Sequence, residues 1–229
     1  MSLQSIIDIS NQLEINRRKL VGVQYARNQL PRVSETPTYN PWKLTVGTPT
    51  LPYSTMRTVL ENIDTLDRRT PQEITFSNNA GLSWMFAYRG TLTSVQRAQV
   101  TFDFFEDNQM TLDVSALIGE SSSSIILEVG DIIQIQGYPY PFTSISRVTR
   151  GTGLTVTVTT HRPNILSTMP SVGTLFNWGN DVRFNMFCPN MPTYKLTPGG
   201  FLKSGNTVIN NALVEFTDNF LLYEYVASA

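Results

Sequence analysis

Four groups of residues in this 229-residue chain have types and spacings suited to chemistry. His161 is the single histidine and Cys188 the single cysteine. A Ser/His/Asp or Cys/His site would need His161 beside Cys188 or a serine, and nothing in the spacing brings them together. Thr160–His161–Arg162–Pro163 instead closes a strand pattern, where a histidine ordinarily bonds backbone at the rim. Asp103, Glu106, Asp107 and Asp113 gather around a turn, a grouping that would suit a glycosidase pair or a calcium site. Phe102, Phe104 and Phe105 interleave with them as core positions, and no glycine completes a DxDxDG-type loop. They read as solvated hairpin carboxylates. Gly199–Gly200–Phe201–Leu202–Lys203–Ser204–Gly205 misses the phosphate-loop spacing and reads as a turn. The fourth group is Tyr138–Pro139–Tyr140–Pro141–Phe142. Alternate prolines remove ladder donors, which places this run at a sheet edge or exposed rim. There the rings either grip a sugar or a partner's extended chain, or pack over the mouth of a small barrel. No catalytic residue, cofactor or metal ligand is expected.

The elements around these groups are mostly strands. Leu154–Thr160 alternates apolar residues with threonine, the period of a strand with one dry face. Arg150–Gly151–Thr152–Gly153 predicts a hairpin turn back to Thr143–Thr149, and Gly130–Asp131 turns the chain into the strand Ile132–Gln136. Residues 119–170 are therefore expected to form an inserted small β-barrel module, entered through Ser121–Ser124. The body, residues 53–118 and 171–229, is expected to be a β-sandwich or barrel. Its strands are read at Glu73–Ser77, Leu82–Arg89, Val95–Phe105, Met110–Leu117, Phe176–Cys188, Thr193–Leu196, Leu213–Phe216 and Phe220–Val226, with Thr197–Gly200 as a turn. Met56, Leu60, Ile63 and Leu66 predict one short helix from Ser54 to Arg69. Residues 1–52 hold an N-terminal helix, with Leu3, Ile6, Ile9, Leu13 and Leu20 at helical spacing, and then a proline-punctuated extended arm. The fold class is thus mainly β.

Composition points toward a surface that meets protein. Charged residues are only 15 % of the chain, and 13 of the 17 basic residues are arginine. Interfaces favour arginine and aromatics over strongly hydrated lysine. The net charge of −1 conceals an excess of basic residues up to Arg97 and of acidic residues after it, which suits head-to-tail packing of copies. Nucleic acid would require a concentrated basic face, so no nucleic-acid binding is expected. No secretory signal or membrane-spanning run is read, and one cysteine excludes an intramolecular disulfide, so folding in a reducing cytoplasm is expected.

Several spots spread along the chain carry a resemblance. They are Arg27–Asn28–Gln29, Pro41–Trp42, Tyr53–Ser54, Ile63–Asp64–Thr65–Leu66–Asp67–Arg68 and Gly130–Asp131–Ile132–Ile133–Gln134. His161–Arg162–Pro163, Met191–Pro192–Thr193–Tyr194, Asn211–Phe216 and Phe220–Glu224 continue it. With these residues the chain resembles virion structural proteins of T4-like contractile-tailed phages, especially those of cyanobacteria. The resemblance implies a non-enzymatic, multi-copy subunit of the tail, near the baseplate or the start of the tail tube, assembled in the host cytoplasm. Its partners would be copies of itself and other tail and baseplate proteins. Expected partner contacts are Ile6, Ile9, Leu13, Arg17 and Arg18 on the helix and Arg27, Tyr39 and Trp42 on the arm. Tyr138, Tyr140 and Phe142 on the module are expected to reach a second partner. The alternatives are a receptor- or glycan-binding tip or fibre adaptor using the same three rings, and a neck or head–tail connector component.

Overall fold

The computed structural model describes residues 3–16, 21–25, 31–35, 41–64, 70–204 and 207–226. The chain begins with α1 (Gln4–Ile9), β1 (Gln12–Asn16), β2 (Val21–Tyr25), β3 (Pro31–Glu35), β4 (Lys43–Gly47), β5 (Leu51–Pro52) and α2 (Tyr53–Asp64). β6 (Gln72–Ile74), α3 (Ser94–Arg97), β7 (Thr101–Glu106), β8 (Gln109–Asp113), β9 (Ile125–Leu127) and β10 (Ile132–Ile135) follow. Next come β11 (Phe142–Thr143), β12 (Val148–Thr149), β13 (Thr155–Thr159), β14 (Phe176–Trp178) and β15 (Phe184–Phe187). The last strands are β16 (Tyr194–Ser204), β17 (Thr207–Phe216) and β18 (Phe220–Glu224). The protein is mainly β, with several antiparallel sheets, few helices and a helix at the N-terminal end.

Residues group into two units. The first contains residues 1–15, 43–86 and 183–225. Its five-stranded sheet has the order β1-β4-β18-β15-β6, and β5, β17 and β16 form a second sheet. Leu44, Val46, Phe184, Met186, Phe220 and Leu222 alternate inward from the larger sheet and are buried. Phe76 stacks on Phe86 at 4.5 Å and meets Phe184 edge-on at 6.0 Å. Met56, Val59 and Leu60 give α2 its buried stripe, while Arg57 and Glu61 pair at 3.0 Å on its exposed face. Such a surface pair contributes little to stability.

The second unit contains residues 16–42, 87–182 and 226–229. Three small sheets, β11-β10-β14, β12-β9 and β13-β8-β7, enclose one apolar core. Phe102, Phe105, Met110 and Leu112 from the β7–β8 hairpin fill the same core as Ile126, Ile133 and Ile135. The segment inserted between the two halves of the first unit therefore runs over residues 87–182 rather than 119–170: that hairpin has its apolar face in the module.

The structure corrects several local expectations. The N-terminal helix ends at Ile9, not near Leu20, and Gln12–Asn16 is a strand. The cause lies in side-chain competition for the last helical carbonyls. Ser10 Oγ donates to Ile7 O at 2.7 Å, and the buried Asn79 Nδ2 donates to Ile7 O at 2.6 Å and Ser10 O at 2.9 Å. Leu82–Arg89 contains a 3₁₀ turn at Ser83–Phe86 instead of a strand, and the first part of Val95–Phe105 is helical. A Thr93–Gln96 capping box closes that helix start, with Gln96 N donating to Thr93 Oγ1. The arm is not wholly extended: β2 and β3 form a hairpin, and β4 is an interior strand of the first unit's sheet. Thr197–Gly200 is strand, because β16 runs on to Ser204 with an irregularity between Gly199 and Leu202. β13 pairs along its length with β8, and β12 with β9. The expected pairing of Thr143–Thr149 with Leu154–Thr160 survives at one end, as the antiparallel Ser144↔Thr160 bridge with Ile145 N donating to Thr159 O at 2.9 Å.

Asn79 is the polar pivot of the first unit, since its Oδ1 also accepts from Gly81 N at 2.9 Å and Leu82 N at 3.0 Å. Asn79→Ala would remove all of these bonds at once, the donation to Ser10 O among them, a loss of about 2 kcal/mol. The expected outcome is a clearly lower urea midpoint by circular dichroism, whereas an unchanged midpoint would mean that Asn79 does not pin α1.

Candidate assembly site

Gly137, at φ +79°, turns the chain after β10, and Tyr138 N donates to Ile135 O at 3.0 Å. The run that follows goes inward. Tyr138, Tyr140 and Phe142 are all at most 2 % exposed. Tyr138 stacks on Phe142 with centroids 5.6 Å apart and meets Tyr140 edge-on, and Phe105 closes on Phe142 at 4.8 Å. The Tyr138 hydroxyl accepts from Ile165 N at 2.8 Å and Leu166 N at 3.0 Å, so the 165–166 loop lies over the cluster. Of the two readings of this run, the rings pack inward, and the exposed gripping rim is corrected. Pro139 and Pro141 lack amide donors and leave none to satisfy, so the rings turn into the core while the loop seals them.

Arg162 is 1 % exposed, its guanidinium 5.7 Å from the Tyr140 ring centroid and 5.6 Å from that of Phe142. Its Nη2 donates to Pro141 O at 2.7 Å. Next to it, His161 Nδ1 accepts from Thr143 N at 2.9 Å, and Trp42 meets the imidazole edge-on at 5.5 Å. Trp42 is 1 % exposed and anchors the end of the arm within its own unit. Asp131 is a second buried pivot: it accepts from Arg89 Nε and Arg89 N, both at 3.2 Å, and from Glu128 N at 2.9 Å. Neither Arg162 nor Asp131 is distinguishable in sequence as a buried polar group, because Asp131 sits in a segment that reads as a turn and Arg162 in one that closes a strand.

The acidic hairpin is a turn built for its own backbone. Asp107 adopts φ +50°, as a two-residue hairpin requires, and Asn164 N donates to Asp107 O at 2.9 Å. Asp113 accepts from Ser115, which holds its carboxyl below the usual range. Among the described residues no three His, Cys, Asp or Glu side chains gather as a metal site.

Of the other expected partner residues, Ile6 is 1 % exposed and fills the first unit's core, so it is not available to a partner. Ile9 and Leu13 are half-buried. Arg17, Arg18, Arg27 and Tyr39 lie outside the described residues.

Open strand edges lie elsewhere in the chain. β2 and β3 pair over five residues each, from Val21↔Glu35 to Tyr25↔Pro31. β16 and β17 form a longer ribbon of 11 and 10 residues. Only the base of β17 has a further partner among the described strands, where Leu213 and Val214 pair with Pro52 and Leu51. At that base Tyr194 and Leu196 are 39 % and 53 % exposed, and Lys195 lies opposite Glu215. Two-stranded ribbons with unpaired edges are templates for a further strand and are marginal alone in water.

Burial pushes the Tyr88 hydroxyl up to about 12 from 10.0, against the opposing donation from Leu92 N. Tyr138 shifts the same way, also through burial. Between pH 10 and 12 the unfolded chain releases protons that the folded chain keeps, so stability should fall as pH rises through this window and hold steady below it. Tyr88→Phe loses the donation to Ile126 O at 2.7 Å, which lowers stability at neutral pH, but it should also flatten this alkaline fall. Urea midpoints from pH 8 to 11 test this; parallel falls in the two proteins would exclude a contribution from Tyr88. Comparison with protein-family models and with curated proteins finds no match for this chain.

Proposed function

We propose that this chain is a non-enzymatic structural subunit of a phage tail, a component of the baseplate or of the tube–baseplate junction that assembles in multiple copies. The observation that carries the reading is the pair of ribbons β2–β3 and β16–β17, whose outer edges, apart from the two-residue pairing of β17 with β5, lack strand partners among the described residues. Main-chain pairing across such edges supplies affinity, and the ribbon side chains supply selectivity. The resemblance at Met191–Tyr194 and Asn211–Phe216 supports the same reading, since these residues lead into or form the β16–β17 ribbon. In this reading the ribbons do the bridging, and α1, whose Leu3, Ile6 and Ile7 are buried, stays with its own unit. The glycan-binding alternative loses its support because its three rings are sealed in a core.

Two variants test the proposal by sedimentation velocity. One replaces residues 17–40 with a Gly-Ser linker, and the other replaces residues 199–211 with Asn-Gly, a turn that joins the still-paired Pro198 and Ala212. Wild type is expected to form a defined oligomer or polymer, and each variant to associate at least tenfold more weakly with its circular dichroism preserved. Wild-type assembly in both variants, or a wild type that stays monomeric, would sink the reading.

A further inference from the structure

The first unit carries a large side chain outside any core and a cavity that none of its described side chains fills. Trp84 is 71 % exposed and Met85 beside it 40 %. The indole is nonetheless fixed: Trp84 Nε1 donates to Gly81 O at 2.8 Å, Met85 N donates to Leu82 O at 3.0 Å, and Phe86 is buried against Phe76. Asn79 holds the preceding turn from both sides. An aromatic displayed on a rigid turn loses little conformational freedom on docking, which is the profile of an interface hot spot.

The cavity, of about 490 Å³, has Met191, Pro192 and Leu221 as apolar walls and Asn190, Asp218 and Asn219 as polar ones. Its volume is ample for an indole, and Trp84 is not among its lining residues. It lies at the base of the β16–β17 ribbon: Met191 and Pro192 lead into β16, and Asp218 and Asn219 join β17 to β18.

We propose that Trp84 of one copy inserts into the Met191–Pro192–Leu221 cavity of a second copy, making a head-to-tail contact. The inference rests on the multi-copy reading above and names the specific contact within it. Three observations favour a copy of this chain as the occupant. The cavity is continuous with the ribbon assigned to assembly, so whatever pairs with the ribbon reaches it. The contact joins the basic segment before Arg97 to the acidic segment after it, and the electropositive indole edge meets a wall carrying Asp218. The exposed part of one tryptophan covers on the order of 150 Å², far below the ~800 Å² per partner of a stable interface. Such a knob therefore acts within a larger contact, as ribbon-linked copies provide. Because knob and cavity are different surfaces, the contact is heterologous and propagates until a ring closes.

Trp84→Ala removes the knob and Met191→Asp spoils the cavity, and both residues lie at or near the surface. By sedimentation velocity, each variant alone should associate at least tenfold more weakly than wild type. An equimolar mixture should form a one-to-one dimer and stop there, since only one intact knob and one intact cavity can meet. Acrylamide quenching of wild type gives a readout that needs no variant. Trp42 and Trp178 are buried at 1 % and 5 % exposure, so the quenchable emission belongs to Trp84 and should become shielded as the protein assembles. If Trp84→Ala assembles as wild type does while the ribbon variants fail, the knob is wrong and the ribbon reading survives. A mixture that remains monomeric, or a Trp84 that stays quenchable in the oligomer, overturns the contact as well. A wild type that is monomeric at every concentration overturns both proposals.

Discussion

Unsatisfied backbone at strand edges is the constraint around which this protein is arranged. Every exposed edge offers a row of unpaired N–H and C=O groups to the next chain that arrives. The first unit closes one end of its main sheet with a side chain: Gln4, on α1, donates to Thr75 O and accepts from Thr75 N, both at 2.8 Å, just beyond the edge strand β6. An amide side chain thus imitates a strand partner without extending the sheet. At the other end β1 is short and carries Gln12, Glu14 and Asn16 as exposed side chains. In the same unit the β16–β17 ribbon differs, with β5 its single further strand partner among the described residues. A fold that caps its principal sheet with a glutamine and polar residues and leaves β16–β17 with one two-residue neighbour treats its edges differently by location.

Local sequence showed the strands well wherever one face is dry and one wet. Leu154–Thr160 carries that alternation, and β13 spans Thr155–Thr159 with Val158 in the core. It failed where two periods coincide. Ile6, Ile9 and Leu13 fit a helical stripe, yet Leu13 serves equally as the inward residue of β1, and the break at Ser10 is decided by Asn79, 69 residues away. In Leu82–Arg89 the alternation of Leu82, Trp84, Phe86 and Tyr88 imitates a strand. Leu82 and Phe86, four apart, are the buried pair, which is a helical-turn spacing. Thr197–Pro198–Gly199–Gly200 has turn residues in turn order, but Pro198 is tolerated because β16 has no strand partner on its other side among the described residues.

The candidate site was legible only in part for a related reason. The Tyr-Pro-Tyr-Pro-Phe run announces that it makes no regular ladder, and the structure agrees that only Phe142 enters a strand register, opposite Ile133. Whether such a run faces water or core depends on what covers it, and the cover is the 165–166 loop together with Arg162, from beyond β13. Nothing local to Tyr138 encodes that loop. Trp84 was likewise hidden, since its exposure follows from the 3₁₀ turn that a strand reading overlooked.

The arginine bias, which pointed toward interfaces, divides between two uses. Arg162 stacks over Tyr140 and Phe142, Arg97 lies 4.7 Å from the Tyr88 ring centroid, and Arg89 bonds Asp131 while its other nitrogen reaches Val129 O at 2.5 Å. A planar guanidinium meets a ring face and a carbonyl at once, whereas a strongly hydrated ammonium loses more on burial. In the second unit, arginine abundance is therefore explained by the need to close small sheets over an aromatic core. The same abundance cannot then count fully as a sign of partners. Under the proposed assembly, what distinguishes contact surface from core is open backbone or a rigidly held apolar side chain in water. Trp84 on its pinned turn meets that criterion, and the buried Arg162 does not.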